Sequence, residues 1–442
     1  MEIRPPFRRR AVWGTSCAAR GSTRRVVADR LRVKQESKTG AIVPEAGDPR
    51  WDALTGVLTL GNPATTGSAV GRHDMVGRLF DMVSTPGSHA IIVGEPGLGK
   101  TSLLNVVTDE LRGAGVLVLR AEAEPGMSFD ALLRAAVTAI RVAPDDDMRF
   151  APAGPDAADA EPLSELLPEG EADPTAVAEL LDQQLAGRPV LILDRYDAVG
   201  TGMTDRAVAD LIKALSERSA QATVILAGNA DAADDIHENH DRTFRYITEM
   251  PLRLLRPNEV FFLLDRMRTA SGIGFHDDAR KLILTASLGI PRAVQTLGRS
   301  AIGAALDAGL DEVAMAQAVA AMPEAAEAVD AETRQAVDMI VGDDPEDEFA
   351  RLIFAVAAAH TDWYGRFFKP QVLQSIRQRF PDLEMGEDEV IQTLDSLCGD
   401  DSMSLFRKGG SAYRFRNIWI KHYLMMRYLT HRFGTDALEP AN

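Results

Sequence analysis

The sequence has little cysteine, no long apolar run and no metal-ligand spacing among its histidines. Cys17 and Cys398 are the only cysteines among 442 residues, which argues against a disulfide framework or a thiolate metal cluster and favours a reducing compartment. No apolar run reaches the ~18 residues that a membrane span needs. The eight histidines, His237 and His240 included, give no pattern typical of zinc sites. We therefore expect a cytoplasmic protein without a membrane segment or zinc.

Basic residues are also scarce relative to acidic ones. The 48 lysines and arginines face 65 acidic residues, and the formal net charge of −17 argues against a protein that coats nucleic acid broadly. The charge is unevenly distributed, because residues 1–34 are strongly basic and residues 145–173 strongly acidic. Residues 403–433 contain seven basic side chains and no acidic one. Local patches therefore matter more than the total in predicting partners.

The stretch that carries most chemistry lies between residues 94 and 101. Its sequence, GEPGLGKT, fits the phosphate-loop pattern G-x-x-x-x-G-K-[ST], and it lies between a strand-like apolar run and a helical pattern. Glycines allow successive N–H groups to surround a polyphosphate, and the helix adds the positive end of its dipole. Lys100 is placed to reach the β- and γ-phosphates. The residues predicted to bind nucleotide here are Gly94, Glu95, Pro96, Gly97, Leu98, Gly99, Lys100, Thr101 and Ser102.

A second part of the same site follows the apolar run 190–193. Asp194 ends this run, and a carboxylate at the carboxyl end of a buried parallel strand is placed to hold Mg²⁺ through water. The Thr101 hydroxyl is the second predicted metal ligand. A plain turn residue is the alternative interpretation of Asp194. The predicted cofactors are therefore ATP and Mg²⁺.

With these segments in place, the chain from about residue 70 to residue 429 resembles the AAA+ and STAND group of P-loop ATPases. The likeness is strongest to the branch related to origin-recognition initiators and the archaeal-type ATPase family. It implies that Asn229, after the fourth predicted strand, is the polar sensor that orients the attacking water. It also implies that Arg292, in the lid sequence GIPR at 289–292, is a sensor near the γ-phosphate.

The same resemblance implies two further features. Gly71 and Arg72 correspond to the N-terminal motif of these families, whose backbone lies against the adenine. An ATP-dependent homo-oligomer would use Arg242 or Arg245 as an arginine finger, although each is as readily interpreted as an ordinary surface arginine.

One position departs from the family pattern. The residue after the metal aspartate is usually an acid that activates water, and here it is Arg195. A guanidinium is no general base, because its pKa exceeds 12. Asp197, two residues further on, is the candidate substitute that would orient water. We therefore expect slow hydrolysis, or a base that lies elsewhere, and a site in which nucleotide occupancy works as a switch.

The expected fold class is α/β: a P-loop NTPase parallel sheet of AAA+ type, followed by an all-α lid and a winged-helix domain. Apolar runs at 90–93, 116–119, 190–193 and 223–226 alternate with helical patterns, which is typical of a parallel sheet covered on both faces. The predicted divisions are a basic, largely disordered extension (1–62), the ATPase core (63–250) with an exposed acidic insertion (144–173), the lid (251–322), an acidic linker (323–348), the winged helix (349–434) and a tail (435–442).

The predicted hairpin 404–416 follows two amphipathic helices and precedes an aromatic-rich one, an order that resembles a winged helix, which often binds DNA. The helix that would enter the groove carries four acids and no base, so phosphate repulsion opposes it. Duplex DNA and an effector protein are therefore equally open as partners. The basic hairpin residues predicted to grip phosphate are Arg407, Lys408, Arg414 and Arg416.

Three functional hypotheses follow. The first is an ATP-binding AAA+ or STAND-type ATPase that acts as a nucleotide-dependent switch. The second is a DNA-binding initiator or transposition-type regulator controlled by ATP. The third is a nucleotide-binding protein adaptor that does not turn ATP over. Extension 1–62 is a solvated tail, a nucleic-acid contact, a targeting peptide or the result of a start codon placed too early.

Overall fold

Five parallel strands form the central sheet of the computed structural model. The structure describes residues 49–58, 71–145, 147, 149–153, 160–167, 170–200, 202–229, 243–342, 344–361, 366–399 and 404–434. Two compact units are present: one comprises residues 58–265 and 287–295, and the other comprises the remainder. No helix within the described residues is long and apolar enough to cross a membrane.

The elements are numbered in chain order. The helices are α1 (Pro49–Val57), α2 (His73–Val83), α3 (Lys100–Gly113), α4 (Phe129–Val137), α5 (Pro174–Glu179), α6 (Met203–Glu217), α7 (Pro257–Ser271), α8 (Asp277–Ser287), α9 (Pro291–Asp307), α10 (Met315–Ala320), α11 (Met322–Glu327), α12 (Ala331–Val341), α13 (Glu348–Ala357), α14 (Lys369–Arg379), α15 (Glu387–Ser396) and α16 (Ile418–Gly434). The strands are β1 (His89–Val93), β2 (Val118–Glu122), β3 (Arg141–Pro144), β4 (Phe150–Pro152), β5 (Glu161–Pro162), β6 (Val190–Asp194), β7 (Thr223–Gly228), β8 (Ile247–Pro251), β9 (Gly274–Phe275), β10 (Glu312–Val313), β11 (Arg366–Phe367), β12 (Phe406–Gly409) and β13 (Ala412–Phe415). Single turns of other helix types lie at Leu163–Leu166, Leu180–Gln184, Tyr196–Ala198 and Thr243–Tyr246.

The central sheet has the strand order β2-β6-β7-β1-β8, and all neighbouring strands are parallel. Strands β1, β6 and β7 are buried along their whole length, which explains their continuous apolar sequences. Ala90 and Ile92 of β1 pack into the core on one face, and Ile91 and Val93 pack into the core on the other. The predicted α/β fold with a two-sided parallel sheet is confirmed.

Several local predictions were incomplete. Strand β8 was not predicted, because this short edge strand has only two buried side chains, Ile247 and Met250. The acidic insertion was expected to be exposed, yet β3, β4 and β5 form a small antiparallel sheet there, and Leu163 and Leu167 lie in the core. The expectation was wrong because these two apolar side chains bury part of a segment whose overall composition is polar.

The second unit contains the elements predicted for the C-terminal domain. Helices α13, α14 and α15 precede the β12–β13 hairpin, and α16 follows it. Strand β11 adds a third, antiparallel strand in the order β11-β13-β12, which the sequence did not reveal because it is two residues long. One face of this sheet carries an aromatic cluster. The ring centroids of Phe367, Phe406 and Phe415 lie 5.1 to 5.6 Å apart. The other face is therefore left for polar side chains.

Candidate nucleotide site

The predicted phosphate loop connects β1 to α3 at the carboxyl edge of the central sheet. Gly97 and Gly99 have φ angles of +83° and +93°, which residues with a Cβ adopt only with strain. Gly94 lies so close to the chain after β8 that an added Cβ would be 3.0 Å from Leu252 Cβ. Helix α3 begins at Lys100, so its free N–H groups face the loop. The local geometry is that of an anion-binding loop.

The Lys100 side chain curls over this loop. Its Nζ donates to the carbonyl oxygen of Gly94 at 2.6 Å. Burial lowers the pKa of Lys100, while the nearby carboxylates of Asp197, Glu95 and Asp194 act in the opposite direction. A half-buried ammonium among carboxylates is poised to exchange a carbonyl partner for a phosphate.

Asp194 lies at the end of β6, and it is only 2% exposed. Both of its carboxylate oxygens accept hydrogen bonds. Oδ1 accepts from the backbone N–H of Arg195 at 3.0 Å, and Oδ2 accepts from Arg120 Nη2 at 3.0 Å. The other arm of Arg120 donates to Asn105 Oδ1 of α3 at 2.6 Å. Neither Arg120 nor Asn105 was predicted from the sequence; the only signal was a charged residue within the apolar run of β2.

The donor set is suited in kind to Mg²⁺. Thr101 and Asp194 offer the hydroxyl and carboxylate oxygens that this hard cation prefers, and a nucleotide would add phosphate oxygens. Within the described residues, no group of three or more His, Cys, Asp or Glu side chains is placed to hold a metal ion by itself. A cation here would share Asp194 with Arg120.

Arg195 directly follows Asp194 and opens the turn after β6. Its backbone is left-handed, with φ +53°, and its Nη1 pairs with Glu122 Oε1 at 2.9 Å on the neighbouring strand. After this turn, Asp197 Oδ1 accepts the backbone N–H of Asn229 at 3.2 Å. The predicted substitute acid and the predicted sensor are thus in direct contact, and the Asp197 charge also acts on Lys100.

Arg72 supports the loop from beneath. The side chain is 4% exposed, and its Nη2 donates to the carbonyl oxygens of Leu98 at 3.0 Å and Arg253 at 2.9 Å. Burial lowers the pKa of Arg72 to about 10, with the Arg253 charge adding to the effect. Gly71 packs against Glu259, whose carboxylate an added Cβ would meet at 2.6 Å. The Arg72 side chain therefore binds the protein's own carbonyls, and the backbone contact with adenine stays a prediction.

The predicted lid motif is in the same compact unit as the loop. Gly289 has φ +77°, its carbonyl oxygen accepts the N–H of Leu255 at 2.8 Å, and an added Cβ would lie 2.4 Å from Leu255 O. Only glycine fits this approach. Arg292 is exposed in the first turn of α9, as is Arg245 in its own turn, and their roles stay predictions. Arg242 lies outside the described residues.

The C-terminal sheet presents a second basic surface. In the strand register, Arg366 of β11 lies opposite Arg414 of β13, and Arg414 lies opposite Arg407 of β12. The three arginines therefore form one row across the sheet. We call these residues the arginine row. They line a cavity of about 580 Å³, together with neighbouring strand and turn residues. Lys408, expected to contact phosphate, instead bonds Asp395 Oδ1 at 2.6 Å. Arg366 was missed because it is far from the hairpin in sequence.

A glycine-rich loop between a strand and a helix of a parallel sheet, followed by a lysine, defines a P-loop nucleotide-binding fold. Within that class, residues 68–227 match the sequence profile of the AAA ATPase domain. Residues 68–227 therefore resemble an AAA ATPase domain, as expected from the sequence.

Solved structures resemble this chain at low sequence identity. The Walker-type ATPase of Pyrococcus abyssi has a TM-score of 0.51 and 13% identity, over 83% of this chain and 99% of that one. The ORC2 protein of Aeropyrum pernix, solved as ADPNP-ADP complexes, has a TM-score of 0.48 and 13% identity, over 85% of this chain and 98% of that one. No protein with a curated description matches the sequence. At such identities the likeness concerns the fold alone.

Proposed function

We propose that the chain binds ATP in the loop 94–101 and hydrolyses it slowly, so that nucleotide occupancy acts as a switch. The observation that carries the proposal is the conformation of Arg195. This residue stands where a water-activating acid is expected, and its guanidinium pairs with Glu122 at 2.9 Å. Binding needs only the loop and Lys100, whereas fast hydrolysis also needs a positioned acid.

Each residue has a distinct task in this proposal. The loop N–H groups and Lys100 hold the phosphates, and Thr101 and Asp194 would hold Mg²⁺, which neutralises phosphate charge when bound. We assign Asp197 to orient water, because it lies beside the two other residues of the phosphate end of the site. Its Oδ1 accepts the N–H of Asn229, and its charge acts on Lys100. We also assign Arg292, at the start of α9, to the γ-phosphate.

Steady-state and single-turnover ATP hydrolysis test this function. We expect wild-type turnover well below the 1–100 s⁻¹ typical of phosphoryl-transfer enzymes such as kinases, roughly by tenfold or more. Arg195→Glu should raise it, because a carboxylate then follows Asp194. Asp194→Ala should abolish Mg²⁺-dependent turnover in either background. Glu165→Gln, in the insertion, serves as a charge-matched control.

Fast wild-type turnover that survives Asp197→Ala would show that the base lies elsewhere. A folded protein that binds no ATP would exclude the switch itself.

A second candidate function is binding of duplex DNA through the arginine row. Three guanidinium groups in one cross-strand row are suited to successive phosphates, because each presents a planar fork of donors. Two acids of α15 are paired with lysines, Glu387 with Lys369 and Asp395 with Lys408, each at 2.6 Å, which weakens the expected repulsion. Fluorescence anisotropy with labelled duplex in ATP and in ADP tests it. Binding absent at low salt in both states would favour a protein effector instead.

A further inference from the structure

The guanidinium of Arg120 joins three parts of the nucleotide site. It donates to Asp194 of β6 at 3.0 Å and to Asn105 of α3 at 2.6 Å, while its own backbone belongs to β2. The Arg120 side chain is 21% exposed and that of Asp194 is 2% exposed. Salt therefore screens this ion pair little.

The strand register fixes this arrangement. Strands β2 and β6 are parallel with Glu122 opposite Asp194, so Arg120 lies two residues earlier on the same face as both acids. Arg195 pairs with Glu122 and Arg120 pairs with Asp194. Each of the two acids at this corner of the sheet thus has its own arginine.

We propose that Arg120 competes with a divalent cation for Asp194, so that the chain holds ATP with little dependence on Mg²⁺. The inference rests on the proposed nucleotide binding. A guanidinium 3.0 Å from a buried carboxylate cancels much of the negative charge that would attract a cation. It also occupies one of the oxygens through which a metal-bound water would be held. A weakly held cation would in turn contribute to slow hydrolysis.

The test measures the affinity of the full-length protein for a fluorescent, non-hydrolysable ATP analogue, in excess EDTA and in millimolar MgCl₂. For the wild type, we expect Mg²⁺ to change the dissociation constant by less than about threefold. In Arg120→Gln, which keeps a hydrogen-bond donor but removes the charge, Mg²⁺ should tighten binding by about tenfold or more. Arg120→Lys retains the charge and should behave as the wild type.

A matched control is Arg112→Gln. Arg112 is also an arginine beside β2, with Nη2 donating to Val118 O at 3.3 Å, and it makes no described contact with Asp194. Its substitution should leave the effect of Mg²⁺ unchanged. Thermal melts identify any variant that fails to fold, and a magnesium titration of the wild type alone still tests the central expectation.

The outcomes separate the two claims. Strong Mg²⁺ dependence of ATP-analogue binding by the wild type overturns the proposed competition between Arg120 and the cation. An Arg120→Gln variant in which Mg²⁺ has less effect than in the wild type also overturns it, since Arg120 would then only orient Asp194. If the folded wild type binds the analogue in neither condition, the proposed nucleotide function itself is overturned. Binding in both conditions with similar affinity, and Mg²⁺ sensitivity only after loss of the charge, supports the inference.

Discussion

In the phosphate loop, the groups available to an anion are main-chain N–H groups and a single ammonium, whereas the arginine row offers three guanidinium groups on side chains. The loop depends on glycines in left-handed conformations, and Lys100 lies among carboxylates. The row depends on strand register, and the opposite face of its sheet is aromatic. A concave backbone site selects the shape of one polyphosphate. A row of charged side chains responds to charge density and is therefore suited to a charged polymer.

Each region is also supported by a buried neutral histidine, and the two differ in tautomer. His89, at the start of the strand before the loop, accepts the N–H of Val224 on Nδ1 at 2.9 Å, so its proton is on Nε2. His422, in the helix after the hairpin, contacts Ala286 O through Nδ1 at 2.6 Å, and a carbonyl only accepts, so that proton is on Nδ1. Burial lowers the pKa of both His89 and His422 to about 4.

The largest expected effect is the response of both regions to acid. Between pH 6.5 and pH 4 the two histidines are protonated in the unfolded chain but stay neutral in the folded one, because their folded pKa is about 4. The free energy of unfolding therefore falls as pH is lowered through this window. The cost is on the order of 3 kcal/mol for each histidine once the pH is below about 4. Urea unfolding from pH 7 to pH 4.5 measures it, and His89→Gln or His422→Gln should each reduce the pH slope.

Nitrogen-15 shifts of the two imidazoles should report opposite tautomers at pH 7. Identical tautomers, or a slope insensitive to both buried substitutions, would refute the contrast.

The next effect concerns the loop alone. Lys100→Ala should weaken ATP binding by about 2 to 3 kcal/mol, because charge-assisted bonds to phosphate are lost. Calorimetry of the full-length protein measures this change. Lys213→Ala, on α6, removes the same charge outside the loop and should leave the affinity unaltered. Unchanged affinity in a folded Lys100→Ala variant would remove the loop from the site.

The loop and the arginine row also differ in how far the sequence predicts them. The loop is local: its glycines, lysine and flanking apolar runs occupy adjacent positions, so the pattern alone placed it. Arg120 and Arg366 depend instead on which strands pair and in which register, and no local signal contains that information. Strands β8 and β11 were missed for a related reason. Both are short edge strands with few buried side chains, so their sequences contain little of the apolar pattern by which a strand is predicted. Asp194 was predicted because it ends an apolar run, but its partner Arg120 was not predicted.

The smallest expected effect concerns the arginine row. Replacing Arg366 and Arg414 together by Ala should flatten the slope of log affinity for duplex DNA against log salt by about 2, one unit per lost phosphate contact. Replacing Arg379 on α14 removes one exposed charge outside the sheet and should leave the slope within experimental error. Lys408→Ala provides a sharper contrast, because Lys408 is paired with Asp395 at 2.6 Å, so its loss should change the slope less than the loss of Arg414. Anisotropy titrations over a salt series, with two unrelated duplex sequences, distinguish these variants. An equal change in slope for Lys408→Ala and for Arg414→Ala would mean that the hairpin tip, and not the row, contacts the phosphates.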